Sequence, residues 1–371
     1  MEKHLHIVCL DVPYPPDYGG VFDLFYKLRY LKELDVKFIL HCFEYGRGQQ
    51  AALDEYCEKV YYYIRKQGIG SFSFTIPYIV TSRKSSELIK NLSSDRYPVL
   101  LEGIHCTLPL WENALRGRKV ILRLHNMESE YYRQMAGMTK NLFRKLYFLN
   151  ESRLLKKYEP AVIAKADHII TVSERDAVYI KDIAKYADYL PVFTGWNRVS
   201  SRLGTGDYCL YHGNLSVAEN ETAALWLVKS VFAGLNIPLK IAGKRPSQNL
   251  ITACAAHPHI EIIGDPDEKK MEQLVSDAQI NLLPSFSSTG IKLKLLHAVF
   301  CGRHCIVNRR MAEGTGLESA CYFAETGNAF QEMINTVYYI PFTQQHIEAR
   351  NGLLFSHFNN AANAERLKAM L

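Results

Sequence analysis

Short apolar runs alternate with longer amphipathic segments along most of the chain, which is the pattern of βαβ units around a mostly parallel sheet. In the first half, the apolar runs predict strands at 5–12, 36–43, 98–104, 119–125, 168–173 and 189–193. The segments between them predict helices near 20–34, 84–93, 127–137, 139–165 and 174–185.

A stretch rich in Gly, Ser and Asn at 194–207 interrupts the alternation and suits a linker. The pattern then restarts, with strands predicted at 208–214, 239–243, 260–264, 280–285 and 304–308 and helices at 219–233, 247–256, 267–277, 291–301 and throughout 343–371. We therefore predict two α/β domains of the Rossmann-like type, at 1–195 and 205–345, and a terminal helix at 346–371.

Charge is distributed unevenly between these halves. Residues 1–199 contain 29 Lys and Arg against 23 Asp and Glu, whereas residues 200–371 contain 15 of each kind. A basic first half favours an anionic partner such as a membrane surface or a phosphate-bearing acceptor, and the excess is too small to indicate nucleic acid. The sequence shows neither a signal peptide nor a membrane-spanning apolar stretch, so we expect a cytoplasmic protein.

Two motifs of the first half follow predicted strands. The first, PYPPDYGGVF, places Gly19 and Gly20 where a helix begins, so that bare N–H groups could face a phosphate or a sugar hydroxyl. A plain β-to-α turn is the alternative. The second, RLHNME, places His125 at a strand end, where doubly wound folds bind ligands. Its alternative is a helix cap at Asn126 with His125 behind it.

Two motifs of the second half have the same setting. Gly213 and Asn214 follow a strand and precede a helix, so the backbone can approach a ligand closely. Lys244 and Arg245 also follow a strand and could pair with a diphosphate, although a solvated pair of cations is equally typical of such a loop.

The segment SSTGIKLKLLHA at 287–298 is the most informative, because a Ser/Thr/Gly loop enters a helix that carries lysines in its first turn. Hydroxyls, backbone N–H groups and lysines together make a diphosphate cradle. Its candidate binding residues are Ser288, Thr289, Gly290, Lys292, Lys294 and His297. No metal site is predicted, since Asp267 in the acidic DPD segment at 265–267 is explained as a helix N-cap.

These segments, in this order, resemble the family 4 retaining glycosyltransferases of the GT-B fold, most strongly over about 208–320. The resemblance implies two facing Rossmann-like domains with a cleft between them and a C-terminal helix that crosses back to the first domain. It implies a nucleotide-sugar co-substrate, a glycan or lipid-linked acceptor, retention at the anomeric carbon and a role in bacterial cell-surface polysaccharide or glycolipid assembly. No metal and no other cofactor would be required.

The same resemblance implies roles for single residues. Lys292 or Lys294 would neutralise the departing diphosphate, and His125 would contact the transferred sugar. Gly19 and Gly20 would line the donor phosphate or the acceptor. Two glutamates that the family usually carries around the loop and helix are replaced here by Thr289 and His297.

These replacements keep open a second function, a non-catalytic GT-B subunit that binds a partner glycosyltransferase or a glycan. A nucleotide-sugar epimerase of the same overall fold is a third alternative, against which the SSTGIKLK loop and the lack of a set of catalytic carboxylates argue. The helix at 140–157, KNLFRKLYFLNESRLLKK, would allow peripheral contact with an anionic membrane. Its alternative is an ordinary packed helix with one solvated basic face.

Overall fold

Two parallel sheets account for the alternating pattern of the sequence. The computed structural model describes residues 3–44, 46–139, 141–286 and 292–371. These divide into two units: the first contains the chain up to Gly195 together with Phe358–Leu371, and the second contains the described residues from Trp196 to His357.

The first unit is built on a seven-stranded sheet in the order β3-β2-β1-β4-β5-β6-β7, and every adjacent pair in it is parallel. Its strands are β1 (Lys3–Cys9), β2 (Val36–Glu44), β3 (Lys59–Ile64), β4 (Val99–Glu102), β5 (Val120–Leu124), β6 (His168–Thr171) and β7 (Ala187–Tyr189). Its helices up to Gly195 are α1 (Gly19–Lys32), α2 (Tyr78–Thr81), α3 (Ser86–Leu92), α4 (Leu108–Trp111), α5 (Glu128–Met138), α6 (Leu142–Ile163) and α7 (Glu174–Ile180).

The strands of this sheet are apolar because both of its faces are covered. Along β1, the side chains of Leu5 and Ile7 enter one buried cluster, and that of Val8 enters another. Leu100 and Leu101 divide in the same way along β4. The period of two along each strand thus supplies two cores, one on each side of the sheet.

Two strands of the first unit differ from the prediction. β3, an edge strand rich in tyrosine, was not predicted, because only Tyr63 within KVYYYI is fully buried and the apolar signal is weak. The strand predicted at 189–193 lies instead at Ala187–Tyr189. Pro191 cannot donate to a ladder, and the carbonyls of Leu190 and Pro191 accept hydrogen bonds from Arg123.

The second unit has a six-stranded sheet in the order β10-β9-β8-β11-β12-β13, again with parallel neighbours. Its strands are β8 (Cys209–His212), β9 (Leu239–Gly243), β10 (Ile260–Gly264), β11 (Ile280–Leu283), β12 (His304–Val307) and β13 (Tyr322–Phe323). Its helices are α8 (Ala218–Trp226), α9 (Gln248–Ala255), α10 (Glu268–Asp277), α11 (Leu293–Cys301), α12 (Arg309–Ala312), α13 (Gly327–Val337) and α14 (Gln344–His357).

The tail, predicted as one helix over 346–371, consists of two helices that belong to different units. α14 ends at His357 in the second unit, and α15 (Asn360–Ala369) belongs to the first. The break has a local cause: Asn359 is the N-cap of α15, and its side chain accepts a hydrogen bond from the Ala362 N–H. Within the first unit, α15 packs on α1 and buries Ala364 and Leu367.

In the part of the chain that the structure describes, no helix combines the length and the hydropathy that crossing a bilayer requires.

Candidate active site

Each sheet has one point where the strand order reverses. In the first sheet β1 lies between β2 and β4, and in the second β8 lies between β9 and β11. In open α/β sheets, ligands bind beyond the carboxyl ends of the strands at such a switch point. The loops after β1 and β4, and those after β8 and β11, are therefore where a site is expected in each unit.

At the switch point of the first sheet, His125 follows β5 and is held by two carboxylates. Its Nε2 lies 3.0 Å from Oε2 of Glu102, at the end of β4, and 3.6 Å from Oδ2 of Asp23 on α1. Burial by itself would lower the pKa of His125, but the hydrogen bonds to Asp23 and Glu102 outweigh it and raise this pKa above its ordinary value. The imidazole is thus fixed in orientation and made a stronger base.

The two carboxylates belong to a fully buried ion network. Lys27 lies 2.5 Å from Glu102 and 3.1 Å from Asp23, and Arg123 forms a two-pronged pair with Asp23 at 2.7 and 2.9 Å. Asp23, Glu102 and His125 have the atom spacing of a metal site. Lys27 and Arg123 already neutralise both carboxylates, however, so we assign these residues to an ion network and not to a metal centre.

The other nitrogen of His125 faces the start of α1. A Cβ built on Gly20 would lie 3.2 Å from Nδ1 of His125, so a side chain at position 20 would press on the imidazole. Gly19 is the first residue of α1, and Tyr18 before it provides no side-chain cap. The glycines therefore bring bare backbone close to Nδ1 of His125.

The alternative role of Asn126 as a helix cap is wrong. Met127 is the N-cap of α5, and Asn126 instead donates a hydrogen bond from Nδ2 to Oε1 of Glu128 at 3.3 Å. Among the described residues, neither Oδ1 of Asn126 nor Nδ1 of His105, just after β4, has a hydrogen-bond partner, although both atoms are buried. Burial raises the pKa of Glu128 to about 7. These groups could bind the hydroxyls of a ligand.

In the second unit, Lys294 on α11 points to the switch point of the sheet. Its Nζ donates to Oδ1 of Asn220 at 3.1 Å and lies 5.3 Å from the centre of the Tyr211 ring, on β8. Among the described residues, no carboxylate lies within ion-pair distance of this ammonium. Burial lowers the pKa of Lys294 to about 8, against the opposing charge of Glu219.

His297, one turn further along α11, meets two aromatic rings. It stacks on Trp196 with ring centres 5.2 Å apart and meets His212 edge-on at 5.9 Å. Nε2 of both histidines is buried without a hydrogen-bond partner among the described residues. Burial lowers the pKa of His297 to about 4, so both nitrogens sit on neutral rings at neutral pH.

The loops after β8 and β11 complete this region. A Cβ on Gly213 would lie 3.3 Å from the Asn220 side chain, and the carbonyl of Asn214 accepts a hydrogen bond from Nδ2 of Asn220. After β11, Oγ of Ser285 donates to Oε1 of Glu219 at 2.9 Å. Gly213 thus lets the Asn220 amide reach both Asn214 and Lys294.

The remaining predicted residues lie in different settings. Lys244 and Arg245 are exposed after β9, where the Arg245 N–H donates to Asp265. Lys292 precedes α11 as its N-cap residue. Asp267 is the N-cap of α10, as predicted, and accepts from the Lys270 N–H. Ser288, Thr289 and Gly290 lie outside the described residues.

Sequence reasoning missed the partners of His125. Glu102 ends an otherwise apolar strand, and Asp23 and Lys27 sit one turn apart on α1 with no exposed surface. A charged residue within an apolar run was the available signal, but it does not reveal which opposite charge it meets.

Comparison with known families decides the class of the protein. Residues 206–338, which include β8 to β13, match the glycosyl transferases group 1 family. The chain is a glycosyltransferase. The matched segment contains Gly213, Lys294 and His297, so the switch point of the second sheet lies within it.

Proteins similar to this glycosyltransferase align with most of its length. An uncharacterized 44.6 kDa protein in the cps region of Klebsiella pneumoniae is 24% identical over 326 residues, which are 84% of each chain. The crystal structure of TarM aligns over 100% of this chain and 99% of its own with a TM-score of 0.69 at 9% identity. Anabaena HepE in complex with UDP and glucose aligns over 99% and 98% with a TM-score of 0.66 at 9% identity. At such identities the structures establish the GT-B fold.

Proposed function

We propose that this glycosyltransferase moves a sugar from a nucleotide-sugar donor to a glycan or lipid-linked acceptor during cell-surface polysaccharide assembly, with retention and without a metal. The observation that carries the proposal is the setting of Lys294. Its ammonium lies at the switch point of the second sheet against an amide and an aromatic ring. A diphosphate would supply the ion-pair partner that Lys294 does not have among the described residues.

The chemistry follows from where charge develops. As the bond between the sugar and the diphosphate breaks, negative charge accumulates on the leaving phosphate oxygens. A lysine held at that position stabilises the transition state more than the ground state. Lys294 is prepared for this because Asn220 fixes its direction, and Lys292 lies two residues earlier at the start of α11. The loop between β11 and α11, with Ser288, Thr289 and Gly290, would supply further donors.

We assign His125 to the transferred sugar. Glu102 and Asp23 hold its Nε2, so Nδ1 is the nitrogen that can meet a sugar hydroxyl beside Gly20. Glu102 and Asp23 are positioning residues in this scheme, since they act through the imidazole. Neutralisation of the leaving group by lysine makes a metal unnecessary.

Two observations support the pathway and the acceptor. The Klebsiella relative is encoded in a cps region, which favours polysaccharide assembly for this chain as well. The excess of Lys and Arg within residues 1–199 favours an acceptor at an anionic membrane surface.

The proposal is tested by calorimetry and thermal unfolding of the protein with UDP-, GDP-, ADP- and CMP-sugars in the presence of EDTA. We expect one nucleotide class to bind and to raise the unfolding temperature without metal. NMR of the product made from the bound donor should show the donor's anomeric configuration. Binding only after addition of Mg²⁺ would contradict metal independence, and an inverted product would contradict retention. Release of a 2-epimer would show an epimerase and not a transferase.

A further inference from the structure

The first turns of α6 present large apolar side chains to solvent. Leu142, Phe143, Leu146 and Leu149 are all exposed, and Phe143 is 84% exposed. They are spaced three and four residues apart, so they share one side of the helix. The opposite side packs in the first unit through Tyr147, which meets Tyr132 of α5, and through Glu151 and Leu155.

A neighbouring loop also presents two phenylalanines to solvent. Phe72 is more than half exposed and Phe74 is fully exposed, at 101%. The loop lies beside α6 because the Phe72 ring meets Tyr147 at 6.3 Å and Tyr78 at 4.9 Å. We call the exposed apolar side of α6 the α6 surface; it consists of Leu142, Phe143, Leu146 and Leu149.

The exposed charges of α6 and the charges of the neighbouring loop have one sign. The sequence contains no Asp or Glu between Glu58 and Glu87, a segment that includes the loop. The acids of α6, Glu151 and Glu159, are buried and accept hydrogen bonds from backbone N–H groups. Its exposed charges are all basic, namely Arg144, Lys145, Arg153, Lys156 and Lys157.

We propose that the α6 surface docks onto an anionic lipid bilayer, with Phe143 and Leu146 entering the boundary between headgroups and acyl chains. Arg144 and Lys145 would then lie at the level of the headgroup phosphates. An apolar strip within a cationic rim is the composition of helices that lie in a membrane interface. A contiguous exposed apolar patch marks an interaction site. Lysine is depleted at the centre of protein–protein interfaces, so the lysines beside this patch favour a lipid surface over a protein partner.

This docking needs neither the donor nor the reaction, so its test can fail while the proposed function stands. The protein is sedimented with vesicles of phosphatidylcholine alone and of equal parts phosphatidylcholine and phosphatidylglycerol, at low and high salt. We expect binding to the anionic vesicles that weakens with salt, because the basic residues contribute through screened attraction.

Paired variants assign the binding to the α6 surface. The double variant Phe143→Ser with Leu146→Ser should lose at least about tenfold in vesicle affinity, because it removes two inserted apolar side chains. Arg144→Gln with Lys145→Gln should lose affinity for anionic vesicles and much of the salt dependence. The matched control is Tyr339→Ser with Phe355→Ser, which removes two side chains of the second unit that are 73% and 69% exposed. The control should bind as the wild type does.

Circular dichroism should show all variants folded, since every substituted side chain is exposed. Wild-type protein that ignores anionic vesicles, or serine variants that bind them normally, would overturn the proposal. A dimer by light scattering that the serine variants abolish, without vesicle binding, would assign the α6 surface to a second copy instead.

Discussion

The environment of His125 illustrates how single charges are fixed in this enzyme. Two carboxylates and two permanent cations surround the imidazole without solvent, so each charge has an opposite partner within about 3 Å. Lys27 and the hydrogen bond from His125 outweigh burial and keep the pKa of Glu102 below its ordinary value. Glu102 is therefore ionised and can orient His125 across the neutral pH range.

Replacing Glu102 with Gln should lower the pKa of His125, because the ionised acceptor of its Nε2 is lost. An NMR titration of the ring proton measures this pKa directly. The same variant should lose about 3–5 kcal/mol of unfolding free energy, since it leaves Lys27 buried with one carboxylate fewer. If the His125 pKa were unchanged in a folded variant, Glu102 would not position the imidazole.

A second row of hydrogen-bonded polar side chains joins β1, β2 and β3. Asp95 contacts Nε2 of His6, Nδ1 of His6 contacts Nε2 of His41, and Nδ1 of His41 contacts the Tyr63 hydroxyl. Burial lowers the pKa of both histidines, that of His41 to about 3. Both rings are therefore neutral in the folded protein at neutral pH.

This row of hydrogen-bonded groups predicts that the folded protein loses stability in acid. Below about pH 6.5 these histidines are protonated in the unfolded protein but stay neutral in the folded protein. Their contribution to the unfolding free energy is therefore fully present above about pH 6.5 and falls as the pH drops towards the folded pKa values. Each histidine contributes up to about 1.4 kcal/mol per pH unit in that window. Urea unfolding at pH 7, 6 and 5 should show a shallower loss for His41→Gln than for the wild type. Parallel losses would contradict this account.

At the scale of elements, the break between α14 and α15 depends on one cap. Asn359→Ala should destabilise the first unit by about 1 kcal/mol, because the Ala362 N–H loses its acceptor. Asn359→Ser, which keeps a capping oxygen, should melt close to the wild type. Equal melting temperatures for the alanine and serine variants would show that the cap does not hold α15.

Most elements could be predicted because their apolar runs are buried on both faces, as in β1, β5 and β11. β3 could not, since an edge strand of tyrosines has only a weak apolar signal. The division of the tail was also missed, although the Asn-Asn pair at 359–360 is a start signal for a helix. The amphipathic pattern of the tail is continuous, so it does not show that α14 packs in the second unit and α15 in the first.

At the scale of the whole molecule, each of the two parallel sheets has a switch point with side chains near it that could bind a ligand, His125 in the first unit and Lys294 in the second. The loops there could be predicted, because strand ends and glycines are visible in the sequence. The ion network of Asp23, Lys27 and Glu102 could not, since it joins α1 to β4 across 75 residues of chain. Nor does the sequence reveal that Lys294 meets Asn220 and Tyr211.

The most direct test of the account measures kcat/KM for release of the nucleoside diphosphate from the donor by Lys294→Ala. Lys269→Ala, which changes an exposed lysine of α10 in the same unit, is the control. Loss of one preorganised charge should cost about 2–4 kcal/mol, or about thirtyfold or more, while the control stays at the wild-type value. A loss below about tenfold in Lys294→Ala would remove this lysine from the mechanism and with it the proposed diphosphate site.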